Sequence, residues 1–233
     1  MREILGRRRK LSLQRKGRTA LLDAALTYAT QWKWRVVPGV GHDGRGGRRA
    51  AGGQPCGCLR PNCPVPGAHP VNPGLLAATH DPRMVRWWWT SRPDAPVVLA
   101  TGDQVSAASL PAAAGELALS AIEKLGFRAG PVVATPTRYV FLVAPYSLAE
   151  LGELLDSQDW VPTSLRYHGD GGYVPLPAAV GTAAATAAGR PRWVREPVTG
   201  PDEAAPWLPR IETLVEALVR AGRTAPDGDR LTY

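Results

Sequence analysis

Long apolar runs are missing: no stretch of the 233 residues approaches the roughly 18 consecutive apolar residues that a membrane-spanning helix needs. The basic start leads into Leu11-Ser12-Leu13-Gln14-Arg15-Lys16 instead of an apolar signal core. These absences predict a cytoplasmic protein with no membrane association. Cysteine is scarce, and three residues in a chain of this length do not make a disulfide scaffold. Four histidines allow Ser/His/Asp sets to be drawn on paper, but none has elbow context such as G-x-S-x-G. No internal repeat is visible.

What is present describes one globular domain with appendages: 44% hydrophobic, 21% charged and 7% aromatic residues. That composition excludes collagen, coiled coil and wholesale disorder. The net charge of +8 is unevenly placed: residues 1–60 hold 14 Lys+Arg against 3 Asp+Glu, and residues 61–233 hold 14 against 17. Arg7, Arg8, Arg9, Lys10, Arg15 and Lys16 belong to a basic, disordered arm over residues 1–18. Arg45, Arg48 and Arg49 cluster in a glycine-rich loop. Such clusters attract a polyanion, most simply nucleic acid, or serve as solvated tails.

Residues 19–223 are expected to form the domain, and 224–233 a tail. Leu21, Ala25, Tyr28 and Trp32 recur at helical spacing behind Thr19, and a short strand follows over Trp34 to Val37. Gly39, Gly41 and Gly44 spell G-x-G-x-x-G, but no helix opens at the third glycine, so the pattern is discounted as a dinucleotide site. Asp81-Pro82 caps a helix to about Trp89, whose three consecutive tryptophans cannot all face one core. At least one belongs on a rim, as loop packing or as a base-stacking platform. From Val105 the elements read β-α-β-β-α-β, with a hairpin around Pro136-Thr137, and a strand-like region from Ser164 to Leu176 broken at Gly169-Asp170-Gly171-Gly172. The fold class is therefore α+β: an RRM-like (ferredoxin-like) half over about 96–177 beside a smaller α/β half. The Ala/Gly-rich stretch from Ala178 to Gly189 reads as a loop. Ile211, Leu214, Val215, Leu218 and Val219 place a C-terminal helix over 207–222, ended by Gly222.

Cys56, Cys58, Cys63 and His69 give C-x-C-x4-C-x5-H in a Gly/Pro-rich segment, 56–69, that lacks a core of its own. Three thiolates and an imidazole suit a closed, structural Zn site. His42 and His80 are alternative fourth ligands, and free thiols or a catalytic zinc are the competing readings.

The segment Ala25-Leu26-Thr27-Tyr28-Ala29 with Trp34 to Pro38, the knuckle ending Gly67-Ala68-His69-Pro70 and the Asp81-Pro82 helix with its Trp run carry a family resemblance. The Ala100-Thr101-Gly102 turn and Gly169-Asp170-Gly171-Gly172-Tyr173-Val174 complete it. Over about residues 20–220 the chain resembles the N-terminal domain of bifunctional DNA primase/polymerases. The likeness is to the Prim-Pol members of the archaeo-eukaryotic primase superfamily, in particular the stand-alone actinobacterial form. The resemblance implies an RRM-like catalytic half and two divalent cations held by an Asp-x-Asp pair and a third carboxylate. The matching positions here are Ser109, Pro111 and Arg166 (or Ser164 in a shifted register). The nucleotide-binding Ser-x-His corresponds to Thr135-Pro136-Thr137-Arg138-Tyr139, which has no histidine.

Hydroxyls and a guanidinium do not hold Mg²⁺ pairs, so the resemblance implies a kept fold with a degenerate catalytic site. The expected function is a zinc-containing module that binds nucleic acid or nucleotide in replication or regulation through the arm, the knuckle and a former active-site cleft made electropositive by Arg138, Arg166 and His168. One alternative is an active primase/polymerase, requiring Mg or Mn, with relocated ligands Asp103, Asp170 and His168. Another is a protein-interaction scaffold that docks a protein partner through the Trp face and C-terminal helix. His168 reads as either a loop histidine or a base.

Overall fold

The computed structural model describes residues 19–41, 56–58, 60, 63, 67, 69–178, 190–201 and 203–224. Helix α1 covers residues 19–26 and continues as a π-helical turn over Thr27–Gln31. Leu21, Ala25, Tyr28 and Trp32 are all buried, as their spacing requires. The following strand β1 starts later than the sequence pattern suggests, at Val36–Val40. Trp34 is spent on packing against Tyr28 and Trp32, with ring centroids 6.0 and 4.8 Å away.

Two antiparallel sheets organise the rest. The first has the order β2-β1-β3-β8, with β2 at His69–Pro70, β3 at Val97–Ala100 and β8 at Tyr173–Leu176. The second has the order β7-β4-β6-β5-β9. Its strands are β4 Ser106–Pro111, β5 Val132–Ala134, β6 Arg138–Val143, β7 Arg166–His168 and β9 Arg192–Arg195. Helices α2 (Pro82–Ser91), α3 (Ala112–Lys124), α4 (Leu148–Asp156) and α5 (Ile211–Thr224) complete the elements. Asp81 caps α2 by accepting from Arg83 N, with Pro82 at the first turn. Ser147 and Glu150 form a capping box on α4.

Strand alternation divides the core. Ala107, Val133, Val140 and Leu142 of the second sheet join α1, α2 and the first sheet's Val36, Val97, Leu99 and Val174 in one cluster. Ala108, Leu110, Val132, Phe141 and Val143 point the other way, against α3 and α5. The second sheet therefore has a helical face and a face turned toward the first sheet.

Three expectations change. The strand-like run from Ser164 to Leu176 divides between the sheets: β7 pairs with β4, whereas β8 pairs with β3. The elements β3 and β8, grouped by sequence with the RRM-like half, thus belong to the first sheet, because the glycine turn carries the chain across. Gly222 does not end α5, which runs on to Thr224. A Cβ there would lie 2.6 Å from Pro162 and 3.2 Å from Leu110, so glycine serves close packing inside the helix. Strand β9, hydrogen-bonded at the β5 edge, had no sequence expectation. Residues 179–189, read as a loop, lie outside the described residues. Among the described residues no helix is long and apolar enough to cross a membrane.

Candidate functional site

Two constellations bear on function. The first is the cysteine–histidine cluster at the end of β1. Strand β2 pairs with β1 through His69 opposite Val40, and Gly57 N donates to Gly41 O at 2.9 Å, so the first sheet holds both ends of the segment. The ligand atoms of Cys56, Cys58, Cys63 and His69 all lie within 4.8 Å of one another. His69 Nε2 is 3.3 Å from Cys56 Sγ and 3.2 Å from Cys63 Sγ, close to the roughly 3.5 Å edge of a tetrahedron with zinc-like bond lengths. Gly67 N donates to Cys56 Sγ at 3.3 Å. A proton on His69 Nδ1, which faces Pro70 O at 3.4 Å, leaves Nε2 bare for a metal. Hydrogen bonding at the Arg60 backbone, followed by that to Cys56 and Cys63, lowers the Cys58 thiol pKa. The four residues could hold a metal ion. His80 is exposed and outside the group, and His42 lies outside the described residues.

The second constellation lies on the inter-sheet face of the second sheet. Ser109 shares this face with Ala107, and the register sets Arg166 opposite Ser109 and His168 opposite Ala107. Arg138 comes from the neighbouring strand, opposite Pro111. Its Nη2 donates to Ser109 O at 2.7 Å and Ser164 O at 2.6 Å, while Nε donates to Ser109 Oγ at 3.1 Å. Ser109 Oγ lies 2.9 Å from His168 Nε2. Ser109 Oγ thus links the Arg138 guanidinium and the His168 imidazole in one chain of hydrogen bonds. Ser109 is 1% exposed, so this serine is a buried connector and not an accessible nucleophile.

Burial, then the Arg138 and Arg166 guanidinium groups, push the His168 pKa down to about 4. Tyr146 also stands over this corner, donating to Ala107 O at 3.1 Å. From pH 6.5 down to about 4 the unfolded chain takes up a proton that folded His168 refuses, so stability must fall as pH falls. The loss should reach about 3 kcal/mol by pH 4. Urea titrations across this window should show it, and His168→Gln should flatten it. An unchanged slope in that variant would assign the effect to other groups.

The remaining acids are placed differently. Asp103 is exposed and 3.9 Å from Arg35 Nη1. Asp170 sits in the turn that docks on Ala100-Thr101-Gly102: Thr101 N donates to Gly172 O, and Thr101 Oγ1 to Gly169 O at 2.7 Å. Gly102 has φ +116°, and a Cβ there would fall 2.4 Å from Asp170 Cα, so this contact requires glycine. Among the described residues, Asp103, Asp170 and His168 do not form a metal-holding group. The arm and loop residues Arg7, Arg8, Arg9, Lys10, Arg15, Lys16, Arg45, Arg48 and Arg49 lie outside the described residues.

The sequence pattern offers Ser164 only as a shifted-register alternative for the third carboxylate position and does not single out Tyr146; both border the Ser109 network. Ser164 contributes a backbone carbonyl, which no side-chain identity advertises, and Tyr146 comes from a loop without periodicity. No curated protein and no solved structure matches the chain. A family model described as bifunctional DNA primase/polymerase, N-terminal, matches residues 25–207. That span takes in both sheets, the cysteine–histidine cluster and the Ser109–Arg138–His168 network. The chain belongs to the Prim-Pol family of bifunctional DNA primase/polymerase N-terminal domains.

Proposed function

We propose that this chain is a zinc-containing Prim-Pol domain that binds nucleic acid or nucleotide, in replication or regulation in the cytoplasm, without two-metal nucleotidyl transfer. The observation that carries the reading is the Arg138 guanidinium hydrogen-bonded to Ser109 on the strand to which the resemblance assigns the catalytic aspartates. A divalent cation at that point needs carboxylate or carbonyl oxygens free to turn toward it. Here the Ser109 carbonyl and hydroxyl are both engaged by arginine, and the position opposite Ser109 is Arg166. The two guanidinium groups beside Ser109 suit an anion such as a phosphate better than a cation. The strand order β7-β4-β6-β5, with α3 on one face, supports an RRM-like half. Three thiols and an imidazole in one closed group favour zinc, held structurally.

An active enzyme with relocated acids has one observation in its favour, the docking of Asp170 beside Gly102, next to Asp103. Primer synthesis and extension on a single-stranded template, with Mg²⁺ or Mn²⁺ and labelled nucleotides, separates the readings. Folded, zinc-loaded protein should incorporate no nucleotide above background yet bind oligonucleotides with an affinity that falls steeply with salt. Incorporation that disappears in the Asp103→Ala/Asp170→Ala double variant would establish an enzyme with displaced ligands. Binding to a protein partner with little salt dependence, and none to oligonucleotides, would instead make the chain a scaffold.

A further inference from the structure

The three-tryptophan helix is absorbed by neither constellation. Trp88 and Trp89 are buried in the core below α2, and Trp89 Nε1 donates to Ala95 O at 2.9 Å. Trp87 points outward and is 61% exposed. Arg83 and Arg86 are exposed four and one residues before it, and Thr90 three residues after, so helical spacing sets all four on the solvent side. Helix α2 contains no acidic residue, and the preceding Asp81 is engaged as its cap. Among the described residues neither Arg83 nor Arg86 belongs to an ion pair.

The other exposed tryptophans differ in one respect. Arg128 covers the ring of Trp207 with its guanidinium 4.3 Å from the centroid, and Arg223 lies 5.7 Å from that of Trp160. Trp87, the most exposed of the three, has no such cover among the described residues. A bare indole face on a capped helix anchored by two buried tryptophans is an ordered platform, so covering it costs little conformational entropy. Its flanking charges are of one sign.

We propose that the outer face of α2 is a docking surface for single-stranded nucleic acid, with one base stacked on Trp87 and the adjacent phosphates held by Arg83 and Arg86. The inference rests on the nucleic-acid reading above and adds to it a place and a strand state. An unpaired base offers a π-face to the indole, whereas a duplex keeps its base faces stacked inside. Charge complementarity favours a polyanion over an apolar protein partner.

The test is fluorescence anisotropy of a labelled 20-mer of thymidylate with the full zinc-loaded chain, at stepped salt. Trp87→Ala should weaken binding about 10-fold, Trp87→Phe much less, and the control Trp160→Ala not at all. Arg83→Gln/Arg86→Gln should reduce the slope of log affinity against log salt by about 1.4, at about 0.7 per lost phosphate contact. Circular dichroism verifies that the variants fold, and the Arg pair reports independently should Trp87→Ala fail to. Wild-type binding with unaltered affinity in Trp87→Ala and unaltered slope in the Arg pair would overturn the α2 surface alone. No binding by the wild type would overturn the nucleic-acid reading and this inference with it, and a duplex binding as well as the single strand would overturn the assigned strand state.

Discussion

Arg138→Ala should lower stability by about 4 kcal/mol, roughly 8–16 °C in melting temperature for a chain of this size. One guanidinium serves Ser109 Oγ, Ser109 O and Ser164 O from a single planar fork. Truncation leaves these acceptors short of a donor, at about 1–3 kcal/mol for each that water cannot reach. Ser109 is buried, so water cannot take over all of the lost bonds. Arg138→Lys should recover only part, because an ammonium is a point donor on a flexible stem and cannot span the three acceptors in the same way. The substitution should also change the acid sensitivity. Arg138 is the larger of the two cationic influences on His168, so its removal should raise the His168 pKa and narrow the pH window over which stability is lost. A melting temperature within 2 °C of wild type would show that the β4–β6–β7 corner is held without the arginine.

Cys56→Ser should abolish stoichiometric metal binding. Cys56 Sγ accepts from Gly67 N and lies against His69, so it sits at the centre of the cluster and not on its rim. Losing a partner that merely orients a ligand costs about 10–100-fold in metal affinity, and losing the ligand itself should cost more. Wild-type protein should carry about one zinc per chain by elemental analysis, and the serine variant close to none. The consequence should be local. No cluster residue belongs to either large core, so the knuckle and the β1–β2 pairing should open while the two sheets persist. Limited proteolysis should then cut near residues 56–70 in the variant or after chelation, while thermal unfolding shifts by a few degrees. Global unfolding on chelation would mean that the metal supports the first sheet as well as its loop.

Local chemistry was readable where one stretch of chain decides it. The spacing of Cys56, Cys58, Cys63 and His69 anticipates a group that the structure closes, since a short Gly/Pro segment has few ways to place four ligands. Asp81-Pro82 anticipates the start of α2. The order of strands and helices from Val105 to His168 was also legible, because each carries its own periodicity. The late start of β1 was not, because β-propensity cannot tell a strand residue from one packed just outside it, as Trp34 is. Nor was the role of Gly222, because the glycine that ends a helix and the glycine that lets a loop press on it look alike in sequence.

Ligand spacing, helix caps, the α+β order and the residue types at Ser109, Pro111 and Arg166 are all properties of short stretches of chain. How those stretches meet is a property of the fold. Register between β4, β6 and β7 places Ser109, Arg138, Arg166 and His168 on one face although they span 60 positions of chain. Docking of two distant turns sends β8 to the other sheet, and the seating of α2 leaves Trp87, of three adjacent tryptophans, in solvent. The physical reason is the same in each case: periodicity and capping act within a few residues, whereas strand register and burial are set by long-range pairing that no local pattern encodes.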